Sequence, residues 1–439
     1  MFRCELLPLE HFELNKKNLT SILFIFYLLI FCYIITRISF FTNSGLNKTT
    51  LILLFCIKVF AGLLYAWYYL LPANYSGSDT YRFFNASLAE TDVLLKNPVL
   101  FFKELFTHHY TNSGNIFIAN QSYWNDLKSN IIIKLLAVIN VFTIKNYYAA
   151  IVFFNFLFFF GLVGFYRLIQ AIITTNKWML IIVIFLMPSF LFWSSGVHKD
   201  GLIFSALGII FWQFYLGLKS HFSIKKIVLI TILMGLIFGL RNFIFFILLL
   251  NLLALYLSNG SNKPKLIFVS SYSVGIILFF STSIFSPKIN LPNYVVIKHQ
   301  EFTQLEGRSS FNTKELQPSV KSFIEYLPTA VDIAFLRPHF NESKNKSYLL
   351  ACFENIIVVI VILFGLVFRK KNVQIPNIFW ACWLFALSIL LIEGYTITFS
   401  GAIVRYKSLA IPFIIAPIAA LFDVYKLLKC IKQPIHYKK

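Results

Sequence analysis

Residues 148–167, YAAIVFFNFLFFFGLVGFYR, run from Tyr148 to Arg167 with no charge before the arginine. A helix needs about 20 apolar residues to cross the roughly 30 Å hydrocarbon layer of a bilayer, and this stretch has that length and character. Runs of the same kind lie near 19–36, 51–71, 178–195, 201–218, 226–240, 242–258, 266–285, 349–368, 378–396 and 404–422. Lipid offers backbone groups no hydrogen-bond partners, so these runs must be helices, and no series of amphipathic strands suggests a β-barrel. The expected fold is all-α: a polytopic transmembrane helix bundle of about eleven spans, in a single integral membrane domain over 1–439.

Composition agrees. The 439 residues are 58% hydrophobic and 13% charged, with 51 Phe, against roughly 45–50% apolar and about 25% charged in soluble domains. A formal charge of +21 would suggest nucleic acid as partner in a soluble protein. Here the bases punctuate apolar runs instead of forming one stripe, so positive-inside topology accounts for much of the excess, and no nucleic-acid partner is expected. Cys4, Cys32, Cys56, Cys352, Cys382 and Cys430 are scattered, without metal-ligand or redox spacing. Residues 1–18 place Glu5, Glu10 and Glu13 ahead of the first apolar run, unlike a cleavable signal peptide.

Orientation follows from short loops. Arg167 and Lys177, then Lys219, Lys225 and Lys226, then Lys263 and Lys265, then Arg369, Lys370 and Lys371 alternate with the spans. Lys426, Lys429, Lys432, Lys438 and Lys439 follow the last one. That face is assigned to the cytoplasm together with the C-terminus, and the longer segments 72–130 and 286–347 become extracytoplasmic loops. The run Ile131–Ile144 is short and holds Lys134 and Asn140, which reads as interfacial or re-entrant. Were it to span, the total would be twelve and loop 72–130 would change sides.

Five polar groupings stand out. Asn74 to Arg82 places Asp79 at the membrane boundary beside hydroxyls, as a general base, a cation ligand or a helix cap. Pro188 to Gly201 joins two apolar runs by a turn carrying His198, Lys199 and Asp200. Successive charges there are costly unless they line an aqueous cavity, where Lys199 can hold phosphate and His198 can shuttle protons. The simpler reading is a solvated hairpin with Trp193 as anchor and Asp200 as cap. Arg241-Asn242 interrupts the apolar stretch from Ile227 to Leu257, and an arginine fork suits phosphate. Phe335 to Glu342, followed by Glu354, offers Arg337 or Arg405 as partner for Glu354, or a salt bridge docking the long loop. Glu393 to Thr396 and Gly401 to Lys407 bring one acid and two bases to a turn, either gripping a diphosphate sugar or snorkelling.

Lys199, Arg241, Arg337 and Arg405 thus fall on one expected face with Asp79, His198 and Glu393. A membrane-level cationic cavity suits an anionic lipid headgroup, and no Walker, Rossmann or zinc motif is present, so no cofactor or metal is expected. Gly77-Ser78-Asp79-Thr80, Phe192 to Asp200, Leu336-Arg337-Pro338 and Arg405-Tyr406 resemble bacterial membrane proteins of surface-polysaccharide loci. More distantly they are similar to O-antigen and exopolysaccharide polymerases (Wzy and EpsG-like) and GT-C glycosyltransferases. That resemblance implies a multi-pass protein of the bacterial inner membrane. It would join polyprenyl-phosphate-linked glycan at the extracytoplasmic face, alongside membrane lipid and other envelope-glycan assembly proteins. Asp79 or His198 would be the catalytic base, and Lys199, Arg241, Arg337, Arg405 and Glu393 would bind substrate. The chain departs from the GT-C pattern in lacking a second acid beside Asp79, and its 286–347 segment matches the polymerase loop only roughly. A transporter or flippase for lipid-linked oligosaccharide or an anionic solute uses the same cations and is the alternative.

Overall fold

The computed structural model describes residues 9–71, 74, 78–107, 116, 122–285, 289–304, 310–311, 313–342, 346–370 and 373–432. Gly77 of the first polar grouping and Lys371 lie outside them. The described residues are mostly helical, with turns between the helices and no strand among them beyond isolated bridges pairing Ser310 with Phe399 and Arg369 with Phe422. We number α1 Leu9–Ile35, α2 Lys48–Leu70, α3 Asp79–Lys96, α4 Pro98–Glu104, α5 Tyr123–Thr143 and α6 Tyr147–Ile172. There follow α7 Lys177–Phe185, α8 Pro188–Trp193, α9 Lys199–Lys219, α10 Ile224–Leu240, α11 Asn242–Ser258 and α12 Pro264–Phe285. The last third supplies α13 Leu291–Gln304, α14 Val320–Val331, α15 Lys346–Val367, α16 Asn377–Thr396, α17 Ser400–Ser408, α18 Ile411–Leu421 and α19 Val424–Lys432.

Each of the eleven apolar runs falls on helix. Among the described residues six helices (α2, α6, α9, α12, α15 and α16) are long and apolar enough to cross a membrane, and α17 with α18 forms a further candidate bent by 50°. The other runs are shorter or interrupted for visible reasons. Pro188, which has no amide hydrogen to donate, opens α8 after α7 has stopped. Arg241 stands between two helices of 17 residues, as the last cap of α10 and the first of α11. Helix α12 exposes Leu266, Val269, Val274, Ile276, Ile277 and Leu278, a surface suited to lipid and not to water.

The core forms where α6 and α9 pack. A Cβ on Gly161 would lie 2.1 Å from Ser205 Cα, and one on Gly208 would lie 2.2 Å from the Gly161 carbonyl oxygen. Small residues let two backbones approach in this way. Phe413 of α18 sits against Phe165, Phe211 and Phe385, with ring centroids 4.6, 5.1 and 5.3 Å away. It thereby ties α6, α9 and α16 to the bent pair.

Both long segments pack onto the bundle. Helices α3 and α5 pair through Asn140 donating to Ser87 Oγ at 2.8 Å and through Lys134 with Glu90 at 2.5 Å. The run Ile131–Ile144 therefore belongs mostly to a 21-residue helix that starts at Tyr123 and is not among the candidate spans. From 286–347, Val296, Leu316, Phe323, Tyr326, Ala330 and Ile333 make a second apolar cluster with Ile397 and Ile403. Replacing Gly161 or Gly208 with Ala should lower stability by about 1–3 kcal/mol through overpacking, seen as a lower melting temperature in detergent. An unchanged melting temperature would mean that these two helices do not meet so closely.

Candidate functional site

The site begins with a turn held from below. Lys58, buried in α2, donates to the Ser194 carbonyl at 3.0 Å, to Ser194 Oγ at 3.0 Å and to Ser195 Oγ at 3.1 Å. Asn155 Nδ2, from α6, reaches the Ser195 carbonyl at 3.0 Å. The turn so fixed delivers His198 to the start of α9. Its Nδ1 accepts from the Asp200 amide at 3.1 Å, so His198, not Asp200, caps the helix. Tyr65 packs on the imidazole with ring centroids 5.0 Å apart.

Asp200 is the centre of the cluster. Arg241 Nη2 donates to its Oδ1 at 2.5 Å, and Arg405 Nε donates to its Oδ2 at 2.6 Å. Arg405 Nη1 then reaches Asp79 Oδ2 at 3.5 Å, and Asp79 Oδ1 accepts from Arg82 at 2.9 Å. The guanidinium of Arg241 stacks over Tyr406 at 4.2 Å. Burial grades along this chain: the side chains of Asp200 and Arg241 are 7% and 6% exposed, Arg405 15% and Asp79 31%. Asp79 is the acid of the chain that meets solvent, and Ser78 rather than Asp79 caps its helix.

Lys199 follows His198 and lies close enough to Arg241, Arg405, Asp200 and Asp79 for their charges to act on it. It makes no hydrogen bond or ion pair among the described residues. Glu393 of α16 is buried within reach of the charges of Arg241 and Asp200. Lys128, from the 72–130 segment, stands near Arg241, Lys298 and Glu301, and burial reinforced by the two neighbouring cations draws it down to about 8. Asn242, at the same helix break, donates to the Ile116 carbonyl.

The expected residues thus divide. Asp79, His198, Lys199, Arg241, Arg405 and Glu393 gather around Asp200. Arg337 takes its own partners, Asp332 Oδ2 at 3.1 Å and Glu342 Oε1 at 3.0 Å, with Phe311 over its guanidinium at 3.7 Å. Glu354 pairs with neither Arg337 nor Arg405. It accepts from the Ser189 amide at 3.0 Å and from the Ser189 hydroxyl. Lys407 does not snorkel, being buried and donating to Asn355 and, at 2.7 Å, to the Arg337 carbonyl. Asp200 as a hub, Lys58 and Lys128 were not expected.

Chemically, the His198 Nδ1 lone pair is already engaged, which leaves Asp79 the better placed base. Arg82, Arg405 and Lys199 stand around it, while Lys128 and Glu393 border the cluster at Arg241. Among the described residues no group of three or more His, Cys, Asp or Glu is placed to hold a metal. The architecture is that of a helical membrane protein with an ion cluster where four helix starts and breaks converge. No family model, no curated protein and no solved structure matches the chain.

Asp200→Ala leaves the buried Arg241 without its counter-ion and Arg405 with Asp79 alone, and should cost about 3–5 kcal/mol, read from thermal unfolding in detergent. Adding Arg241→Met to that variant should recover part of the loss. Strict additivity would separate the two side chains energetically.

Proposed function

We propose that this is a glycosyltransferase or polysaccharide polymerase of the bacterial cytoplasmic membrane, taking polyprenyl-(di)phosphate-linked sugars at the extracytoplasmic face. The observation that carries it is Lys199, a cation unpaired among the described residues and beside two arginines, at the end of the bundle away from the Lys- and Arg-rich loops. In this reading the chain crosses the membrane about eleven times with its C-terminus in the cytoplasm. Segments 72–130 and 286–347 then lie outside, which the packing of α5 along α3 supports.

The reaction follows from the charges. Asp79 takes the proton of an acceptor hydroxyl, the acceptor oxygen bonds to the anomeric carbon, and the bond from that carbon to the diphosphate oxygen breaks. The diphosphate leaves with the electron pair, and Lys199, Arg241 and Arg405 stabilise its developing charge because they are already oriented. Arg405 links acid and clamp, touching both Asp79 and Asp200. Lys128 adds a charge that is lost as pH rises through about 8.

One observation favours a transporter of the same lipid-linked anion. The helix breaks at Pro188 and Arg241 and the bend between α17 and α18 border the cluster, and discontinuous helices frame substrate sites in transporters. Lys199→Ala separates the readings without unpairing Asp200. It should insert normally and leave surface glycan as single repeats, while lipid-linked units still reach the outer leaflet. Full-length polymer would end the transferase reading, and lipid-linked units confined to the inner leaflet would favour transport. Anion binding by the wild type should also weaken between pH 7 and 9, and Lys128→Arg should flatten that fall.

A further inference from the structure

Three buried polar groups beside Asp200 have no partner among the described residues. Nη1 of Arg241 is unbonded although its Nη2 grips Asp200. His198 Nε2 is unbonded in a fully buried ring, and since Nδ1 accepts from the Asp200 amide, Nε2 carries the hydrogen. Both carboxyl oxygens of Glu393 are unbonded in a residue 2% exposed. Buried polar atoms without partners are rare and call for explanation. An ionised carboxylate with no donor is far costlier to bury than the uncharged acid, and Arg241 already spends its Nη2 on Asp200. As the uncharged acid, Glu393 becomes a donor as well. Three donors left empty around one acid describe a site waiting for oxygen atoms that bear negative charge. Lys199, Arg405, Asp79 and, beside Arg241, Lys128 are further charged groups acting at this locus.

We propose that Arg241 Nη1, His198 Nε2 and the protonated carboxyl of Glu393 form a subsite for a phosphoryl oxygen, deep to the Lys199 and Arg405 clamp. This rests on the transferase reading for its ligand, a phosphoryl group of either a lipid carrier or a free diphosphate. Asp200 orders the subsite by fixing Arg241 and, through its amide, the tautomer of His198. Glu393 then recognises phosphate as a neutral hydrogen-bond donor, so it adds binding without adding a charge that would repel the ligand.

The test uses the full chain in detergent with two probes, undecaprenyl diphosphate and inorganic pyrophosphate. Infrared difference spectra should show a carboxylic-acid C=O band that moves to lower frequency when probe binds and is missing from Glu393→Gln and Glu393→Ala. Glu393→Gln, which keeps an N–H donor, should weaken binding about threefold and Glu393→Ala about tenfold, as expected for one hydrogen bond to a charged group. A response to the lipid probe alone assigns the site to a headgroup, and one to both probes assigns it to phosphate in general. Binding that leaves the acid band unmoved, or a Glu393 signal in the carboxylate region, overturns the subsite while the clamp reading survives. No binding of either probe to folded protein overturns both.

Discussion

A charge inside a helix bundle has no water to turn to, and Asp200 is where this chain meets that constraint. Its carboxylate is held by Arg241 and Arg405 at hydrogen-bonding distance, with both arginines themselves largely buried. Removing two or three ions from water costs several kcal/mol each, which their mutual attraction repays only in good geometry. The surrounding structure supplies that geometry. Lys58 and Asn155 set the turn before α9, the helix break at Arg241 frees its side chain to reach across, and the short helix α17 presents Arg405. The packing of Phe413 against three helices keeps that last helix pair in place.

Much of the fold was legible because lipid imposes a strict pattern of length and polarity. All eleven apolar runs became helices, and the interruptions at Pro188 and Arg241-Asn242 were visible as a ring without an amide hydrogen and a charge in an apolar stretch. The gathering of Lys199, Arg241 and Arg405 was legible for a related reason, since cations set between spans are too costly to be placed idly. Asp200 was visible as one of several cavity charges or as a cap, and not as the hub, because that role depends on partners 41 and 205 residues away. Lys58 stands alone in an apolar run, where nothing nearby in sequence reveals the serine turn it supports. Arg337 was drawn off by Asp332, five residues before it, across a π-helical turn that spacing alone does not announce.

The two polar centres are not independent. Helix α17 carries Ser400, which donates to Glu342 at 3.0 Å in the Arg337 cluster, and Arg405, which binds Asp200. Lys407 on the same helix donates to the Arg337 carbonyl. Nine residues thus join the 286–347 segment to the ion cluster, and the 72–130 segment reaches it from another direction through Asp79 and Lys128. A shift of either segment on its support is felt at Arg405 or Arg241.

The wide separation of these partners in the chain also orders biogenesis. As the nascent protein enters the membrane, Asp200 and Arg241 meet early, on adjoining helices, and form a half-completed pair. Arg405 joins only after α17 has been made, some 160 residues later. Until then the acid has one arginine alone, so the three-ion cluster closes only when α17 brings Asp200 its second guanidinium.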